Sequence, residues 1–339
     1  MPVIQRYEIT KWTPCIDDLV RRYELSNRAA NKSERTVAWY SEILKSFYRY
    51  LKEQGHPPTI SNFNLDRARE YVLYLRDKPR FSGHPFTHQQ ANPISPQTIR
   101  GHIRAMKAFS SWLCREGYTQ QNQLKALQLP KAPLKIMEPL TAEEINNIVA
   151  CINKNSATGS RNQVMFITLL DTGLRASELA NITLGNLNPK DGHIKVMGKG
   201  AKERVVPIGK YVQMNLWNYI DKVRPQPASP DYNNLFLSQS GKPITLNTIK
   251  LLFSRLAKSS GIRRLHAHLC RHTFAVNYLL NGGDIFSLRE ILGHTTLEMV
   301  NRYLHFTSSQ ITAQHHKYSP MDRLRGPENE TAIQKPALD

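Results

Sequence analysis

Apolar residues recur three and four positions apart through the first third of the chain, which is the spacing of one face of an α-helix. The segments with this pattern are residues 16–23, 33–52, 65–75 and 95–114. The last opens with Ser95 and Pro96, a residue that caps helices followed by the proline that favours a first turn. We therefore predict a compact domain of four helices over residues 12–119.

Two stretches without this periodicity mark boundaries. Residues 77–93 are rich in proline, glycine, glutamine and histidine, which predicts a loop. Residues 120–139 are polar and then carry three prolines, which predicts an extended linker between two bodies. A capping-box pattern at Thr141 opens a second domain over residues 140–320, and the tail at 321–339 is predicted to be disordered.

The second domain combines helical segments with one β-hairpin. Residues 193–197 and 204–208 alternate between apolar and polar side chains, and a Gly-Lys-Gly-Ala-Lys turn joins them, with Lys199 and Lys202 at the tip. Helices are predicted at 163–170, from about 176, at 249–256, 270–280 and 285–292, and after Thr296. The expected fold is mainly α with a small β-hairpin or sheet, a helical N-terminal domain preceding an α+β domain.

The net charge of the chain indicates which class of partner it binds. Its 339 residues carry 46 Lys and Arg against 27 Asp and Glu, a formal net charge of +19. The excess extends over both predicted domains, with 22 basic and 12 acidic residues through Pro139 and 24 and 15 after it. Such a distribution is typical of a protein that surrounds a polyanion, because each neutralised phosphate releases counterions. The charge therefore favours nucleic acid as the partner.

Motifs for metals, nucleotides and membranes are missing from the sequence. The four cysteines form no C-x-x-C pair, so neither a zinc site nor a disulfide framework is predicted. No apolar run approaches the roughly 20 residues that span a bilayer, and no signal peptide is evident, so we expect a cytoplasmic, nucleoid-associated protein without membrane contact. We find no G-x-x-x-x-G-K-[ST] loop, no H-E-x-x-H motif and no carboxylate cluster, and we expect chemistry without metal or cofactor.

The C-terminal third holds side chains suited to phosphate chemistry. His268 and Arg271 share an H-L-C-R spacing, His294 follows in an L-G-H motif, and Tyr303 lies nine residues further on. Arginine supplies a permanently charged planar fork for phosphate oxygens, histidine transfers protons, and a tyrosine hydroxyl can form an ester with phosphorus. This combination predicts a phosphate site with a nucleophile.

Further basic residues are candidates for the same anion. Arg175 lies close to a predicted helix N-terminus, where free amides and the helix dipole favour negative charge. Lys199 and Lys202 are either solvated turn residues or donors on a tip that enters a groove. One face of the helix at 95–114 is basic, and it is either an ordinary solvated face or a contact with the DNA backbone. Its residues are Arg100, Arg104 and Lys107.

Several dispersed motifs occur in a characteristic order. They are T-G-L-R-A-S-E-L around Arg175, G-K-G-A-K-E-R around Lys199, H-L-C-R at His268 and Arg271, and L-G-H followed by Tyr303. From about 140 to 318 the chain resembles the tyrosine recombinases, also called the phage integrase family. The first part resembles the helical core-binding domain of that family. The resemblance implies an α+β catalytic domain that forms a C-shaped DNA clamp with the helical domain.

The resemblance also implies a covalent mechanism. Tyr303 would attack a scissile DNA phosphate, leaving a 3′-phosphotyrosyl link and a free 5′-hydroxyl. Arg175 and Arg271 would hold the non-bridging oxygens and stabilise the transition state. The ester retains the energy of the broken phosphodiester, which explains why no cofactor motif is needed.

The remaining roles follow from the same resemblance. Lys199, with Lys202 as its rival on the same turn, would protonate the leaving 5′-oxygen. His268 would activate or later reprotonate the tyrosine, and His294 would hydrogen-bond the phosphate. Glu178, at the acidic position after the first arginine, would orient the histidine.

The implied partners are double-stranded DNA with a specific recombination site and a homotetramer in the synaptic complex, with or without a partner recombinase or accessory protein. C-terminal residues, with 311–318 as the candidate, would be exchanged between neighbours. The insertion at 84–93 favours an integrase, transposon recombinase or resolvase of a mobile element over a Xer-like chromosome or plasmid dimer resolvase. A type IB topoisomerase and a non-catalytic DNA-binding protein are less favoured functions for the same set of residues.

Overall fold

The computed structural model describes residues 14–80, 90–131, 137–188, 190–198, 203–293, 315, 319 and 320. Its chain divides into two compact units, Met1–Lys135 and Ile136–Asp339. None of the helices in this described part combines the length and hydrophobicity that a bilayer crossing requires.

The described part of the first unit is built on four α-helices, as the periodicity predicts. They are α1 (Ile16–Ala29), α2 (Glu34–Glu53), α3 (Leu65–Asp77) and α4 (Pro96–Arg115). Ser33, Asn64 and Ser95 each accept a hydrogen bond from the backbone N–H three residues later. These side chains satisfy amides that a helix leaves unpaired, so the starts of α2, α3 and α4 follow directly from the sequence.

The stretches predicted as loop and linker contain more structure than their composition indicates. Strands β1 (Pro79–Arg80) and β2 (Gln90–Pro93) pair within the predicted loop. Leu124 and Leu127 are buried in the core of the first unit, so the linker predicted from residue 120 begins only after them. Burying each leucine contributes about 1.5–3 kcal/mol, which outweighs the polar character of the surrounding residues.

The described part of the second unit is mainly helical. Its helices are α5 (Ala142–Ala150), α6 (Ala157–Thr172), α7 (Ala176–Ala180), α8 (Lys210–Asn218), α9 (Leu246–Ser259), α10 (Ala267–Leu280) and α11 (Ile285–Leu292). The capping box predicted at Thr141 is confirmed, and Thr245 and Asp284 cap α9 and α11 with their side chains. Helix α8, which the sequence pattern did not predict, continues into a π-helical turn at Tyr219–Val223.

One antiparallel sheet accompanies these helices. Its strands are β3 (Leu187–Asn188), β4 (His193–Met197) and β5 (Glu203–Pro207), in the order β3-β4-β5. The predicted hairpin of β4 and β5 is confirmed, with Met197 opposite Glu203 at its last pair, and β3 is an additional strand. The predicted tip residues Lys199 and Lys202, the predicted helix of Tyr303 and the tail at 321–339 lie outside the described residues.

Helix α10 lies at the centre of the second unit. Leu269 and Cys270 are fully buried in the main core, and α10 packs against α6, α9 and α11. The segment that enters this unit is attached to the same helix, because the backbone N–H of Leu140 donates to Oγ1 of Thr273 at 2.9 Å. The packing places the H-L-C-R motif between the C-terminal ends of α6 and α11.

Candidate active site

The T-G-L-R motif forms the turn between α6 and α7. Gly173 ends α6 in the left-handed conformation, with φ of 63°, and Leu174 is fully buried. Arg175 then forms the N-cap of α7, close to where the sequence placed it, and 34% of its side chain is exposed. Glycine permits this reversal without strain, and the buried leucine anchors it. The guanidinium of Arg175 is therefore held at the surface of the unit.

The carboxylate of Glu178, only 5% exposed, lies between two arginines. It accepts hydrogen bonds from the backbone N–H of Arg175 at 2.9 Å and from Nη1 of Arg175 at 2.7 Å. Nη1 and Nη2 of Arg204 donate to its two oxygens at 2.9 and 2.8 Å. The predicted role of Glu178, orienting a histidine, stays a prediction. Among the described residues, both of its oxygens accept hydrogen bonds from guanidinium and amide donors, and charged donors bind a carboxylate strongly.

Arg204 is the site residue that the sequence reasoning missed. Its position was visible as the last letter of the G-K-G-A-K-E-R motif, but nothing in the motif indicates its partner 26 residues away. Burial alone would raise the pKa of Glu178, but the hydrogen bonds from Arg204 and from the Arg175 backbone outweigh it and lower the pKa to about 2. Glu178 is therefore ionised at neutral pH, between two positive charges.

Arg271 is the most deeply buried charged group of the candidate site, with 1% of the residue exposed. Its Nη1 donates to the carbonyl oxygen of Gly173 at 2.8 Å, and its Nη2 donates to that of Leu292 at 2.7 Å. Both carbonyls lie at helix C-termini, where the last carbonyls lack helical partners and the dipole favours a cation. Arg271 therefore joins the turn that carries Arg175 to the end of α11, two residues before His294.

His268 lies one turn before Arg271 on α10 and is exposed to solvent. Partial desolvation of the ring lowers the pKa of His268, and the positive charge of Arg271 lowers it further. The imidazole is therefore neutral at pH 7 and able to accept a proton.

The described residues thus bring Arg175, His268 and Arg271 into one region through a shared turn and a shared helix. His294 and Tyr303 lie outside the described residues, as Lys199 and Lys202 do, and their predicted roles stay predictions. In the part of the chain that the structure describes, no three His, Cys, Asp or Glu side chains are grouped to hold a metal ion.

A concave surface with basic side chains adjoins the start of α7. It is lined by Ala176 together with Lys250 of α9 and with Arg263 and His266, which precede α10. All three of these side chains belong to exposed residues. A positively charged concavity beside Arg175 favours an extended polyanion over a small neutral ligand.

Two of the three basic residues on the face of α4 bond backbone carbonyls, and the third is exposed. Nη1 of Arg100 donates to the carbonyl of Pro130 at 3.0 Å, and Nζ of Lys107 donates to those of Lys125 and Leu127 at 2.9 and 2.8 Å. These two side chains hold the segment that follows α4 against the helix. Arg104 is exposed, so it is the member of the face most available to a ligand.

The sequence matches a known family over the second unit. A model of the phage integrase family covers residues 138–310. Tyrosine recombinase XerD of Staphylococcus saprophyticus is 31% identical over 85% of this chain and 93% of its own length. Tyrosine recombinase XerC of Bacillus pumilus is 28% identical over 86% of this chain and 92% of its own length.

Solved structures share the fold. The Tn1549 transposon integrase in complex with a circular intermediate DNA superposes with a TM-score of 0.69 at 21% identity, covering 89% of this chain and 99% of that one. A lambda integrase dimer bound to a core site gives a TM-score of 0.64 at 17% identity, covering 83% of this chain and 96% of that one. At these identities the likeness is one of architecture.

Proposed function

Because this chain belongs to the phage integrase family of tyrosine recombinases, which are site-specific DNA strand transferases, we propose that Tyr303 is its nucleophile. The phenolic oxygen attacks a scissile DNA phosphate, and the phenolic proton passes to a base. The bond from phosphorus to the 5′-oxygen breaks, and that oxygen takes a proton from a general acid. A 5′-hydroxyl of a partner strand then reverses these steps, so the phosphotyrosyl ester conserves the bond energy.

The observation that supports this proposal best is the connection between Arg175 and Arg271. Arg175 is half-buried and oriented by Glu178, and Arg271 is bonded to the carbonyl of Gly173 in the same turn. Two guanidinium groups fixed before the substrate arrives can stabilise the charge that develops on the non-bridging oxygens without reorganisation during the reaction.

The other roles are assigned by chemistry. His268, kept neutral by its lowered pKa, accepts the tyrosine proton and later returns it. Lys199 protonates the 5′-oxygen, with Lys202 as the alternative donor, and His294 hydrogen-bonds the phosphate. A lysine with an ordinary pKa near 10.4 is charged at neutral pH, as a general acid requires.

The partner that we propose is duplex DNA carrying a specific site, bound in the cytoplasm at the nucleoid. The basic excess on both sides of Pro139 supports contacts from both units, with Arg104 on the first. Two sites are joined in a homotetramer, with residues 311–318 exchanged between neighbours. Additional recombinases or accessory proteins are compatible with this assembly.

Two biological roles are compatible with this chemistry. The identity with XerD and XerC relatives over most of their length favours resolution of chromosome or plasmid dimers. The predicted insertion at 84–93 and the fold shared with the Tn1549 integrase favour a mobile element. Recombination assays with sites from the flanks of the encoding locus and from the host chromosome distinguish them, because each role predicts activity on one set.

The catalytic proposal is tested with a suicide DNA substrate nicked beside the crossover point, in buffer containing EDTA. We expect wild type to form a covalent protein–DNA adduct on a denaturing gel and Tyr303→Phe to form none. Tyr278→Phe removes a hydroxyl from a partly buried tyrosine of α10 and serves as the matched control, with the adduct retained. An adduct that persists in Tyr303→Phe would contradict the assignment of the nucleophile.

A further inference from the structure

The side chain of Arg204 is engaged at all three guanidinium nitrogens. Nη1 and Nη2 donate to the two oxygens of Glu178 at 2.9 and 2.8 Å, and Nε donates to the carbonyl of Ile291 at 2.8 Å. Only 12% of the side chain is exposed. A bidentate arginine–carboxylate pair that is withdrawn from solvent fixes both partners in one geometry. Each guanidinium nitrogen of Arg204 therefore donates at least one hydrogen bond to the protein.

The charges of this cluster do not cancel. One carboxylate, Glu178, lies between the guanidinium groups of Arg175 and Arg204, and the low pKa of Glu178 keeps it ionised. The cluster of three side chains thus carries one net positive charge. Without Arg204, the pair of Arg175 and Glu178 would be neutral, and its attraction for a phosphate would be weak.

We propose that Arg204 is a positioning residue for strand cleavage: it satisfies Glu178 so that Arg175 is oriented by the carboxylate and still keeps its positive charge for the scissile phosphate. This inference rests on the proposed function of Arg175. In this role Arg204 acts through Glu178 rather than on the phosphate directly.

Arg204 also connects the segments that carry the other candidate residues. It lies on β5, two residues after Lys202, and its Nε bonds the last turn of α11. A methyl group added at Gly293 would lie 3.0–3.1 Å from Cδ, Nε and Nη1 of Arg204. The side chain therefore packs against the corner that precedes His294, so one arginine bridges three of the motifs.

The test uses four variants of the full chain. Arg204→Met removes the guanidinium group together with its charge, and Arg204→Lys keeps a positive charge without the guanidinium group. The double variant Arg204→Met/Glu178→Gln removes both buried charges, while the amide oxygen introduced at position 178 still accepts a bond from Arg175. Arg224→Met is the matched control, because Arg224 is a half-buried arginine of the same unit bonded to the carbonyls of Asn234 and Leu235.

The readouts are adduct formation on the suicide substrate, DNA affinity and thermal unfolding. We expect Arg204→Met to cleave about 100-fold more slowly, as when an electrostatic group is lost, with DNA affinity within about threefold of wild type. The double variant should recover to within about tenfold, since no carboxylate remains to neutralise Arg175. Arg204→Lys should also stay within about tenfold, and Arg224→Met should cleave at the wild-type rate.

A purely structural role predicts the opposite order. The double variant, which loses more buried hydrogen bonds, would then cleave no faster than Arg204→Met, and that result overturns the inference. If Arg204→Met alone does not fold, the double variant decides: cleavage within about tenfold of wild type supports the inference, and a loss of about 100-fold overturns it.

A neutral substrate provides an independent readout. Replacing one non-bridging oxygen of the scissile phosphate with methyl removes its negative charge, so the defect of Arg204→Met should shrink below about tenfold. An unchanged defect contradicts the electrostatic role. Absence of any wild-type adduct that depends on Tyr303 would contradict the proposed function as well, whereas a normal wild-type adduct with an unimpaired Arg204→Met contradicts this inference alone.

Discussion

Substitution of Gly173 by alanine tests how the turn between α6 and α7 supports the site. Gly173 has φ of 63°, and a Cβ atom there would lie 2.5 Å from Cδ1 of Phe274 and 2.8 Å from Cδ2 of Leu292. The left-handed conformation costs a residue with a side chain about 1–2 kcal/mol. Overpacking of a filled core adds about 1–3 kcal/mol. We therefore expect Gly173→Ala to lower the free energy of unfolding by about 2–5 kcal/mol.

Gly282 supplies the matched control. Its φ is 86°, and a Cβ added there would meet nothing within 4 Å. Gly282→Ala should therefore show only the backbone cost of about 1–2 kcal/mol. Urea denaturation of the full chain, monitored by circular dichroism, measures the difference in the free energy of unfolding between the two variants. Equal losses of stability would refute the packing argument.

The same pair of variants separates stability from catalysis. The carbonyl of Gly173 accepts a hydrogen bond from Arg271, and Leu292, which the new methyl would displace, supplies the other carbonyl. Gly173→Ala should therefore slow adduct formation even at temperatures where it is folded, whereas Gly282→Ala should not. A folded Gly173→Ala with a wild-type rate of cleavage would show that Arg271 does not depend on this turn.

Three further outcomes are expected. The pKa of Glu178 is about 2 in the folded protein against an ordinary value of 4.5. The stabilising contribution of its charge is therefore complete above pH 4.5 and disappears as the pH falls towards 2. The thermal unfolding midpoint of Glu178→Gln should accordingly approach that of wild type as the pH is lowered through this window. The lowered pKa of His268 predicts that the acid limb of wild-type cleavage lies below pH 6.5, and the residual activity of His268→Gln should lack that limb. Arg104→Ala should reduce the slope of log affinity against log salt by about 0.9, whereas Lys107→Ala, which loses bonds to carbonyls, should mainly lower the unfolding midpoint.

Features that depend on local sequence were predictable. Ser33, Ser95, Thr141 and Asp284 cap helices by accepting bonds from amides two or three residues away, and a short pattern contains all of that information. The hairpin of β4 and β5 was predictable for the same reason, because its alternation and its glycine-rich turn are adjacent in the chain.

Features that depend on distant partners were not predictable. The N-cap of helix α8 is Gly209, which has no side chain to cap the helix, and the backbone amide of Gly209 donates to the carboxylate of Asp171, 38 residues earlier. The bonds between Glu178 and Arg204 were not predictable from the sequence, because the two residues are 26 positions apart, whereas the spacing of Glu178 from Arg175 is visible in one motif. Leu124 and Leu127 sit in a polar segment, and only the core of the first unit explains their burial.

The candidate site is assembled by the same contacts that stabilise the fold. Arg271 and Arg204 donate to the carbonyls of Gly173, Leu292 and Ile291, all at helix C-termini, where unpaired oxygens and the negative end of the helix dipole offset the repulsion between neighbouring guanidinium groups. Positive charge can therefore accumulate before any DNA is bound. Substitutions that release these carbonyls should lower stability, whereas cleavage should follow the balance of charge around Arg175. The double variant of Arg204 and Glu178 releases the carbonyl of Ile291 but leaves no carboxylate beside Arg175. We therefore expect it to lose stability while cleavage stays within about tenfold of wild type, and for this reason it separates positioning from folding.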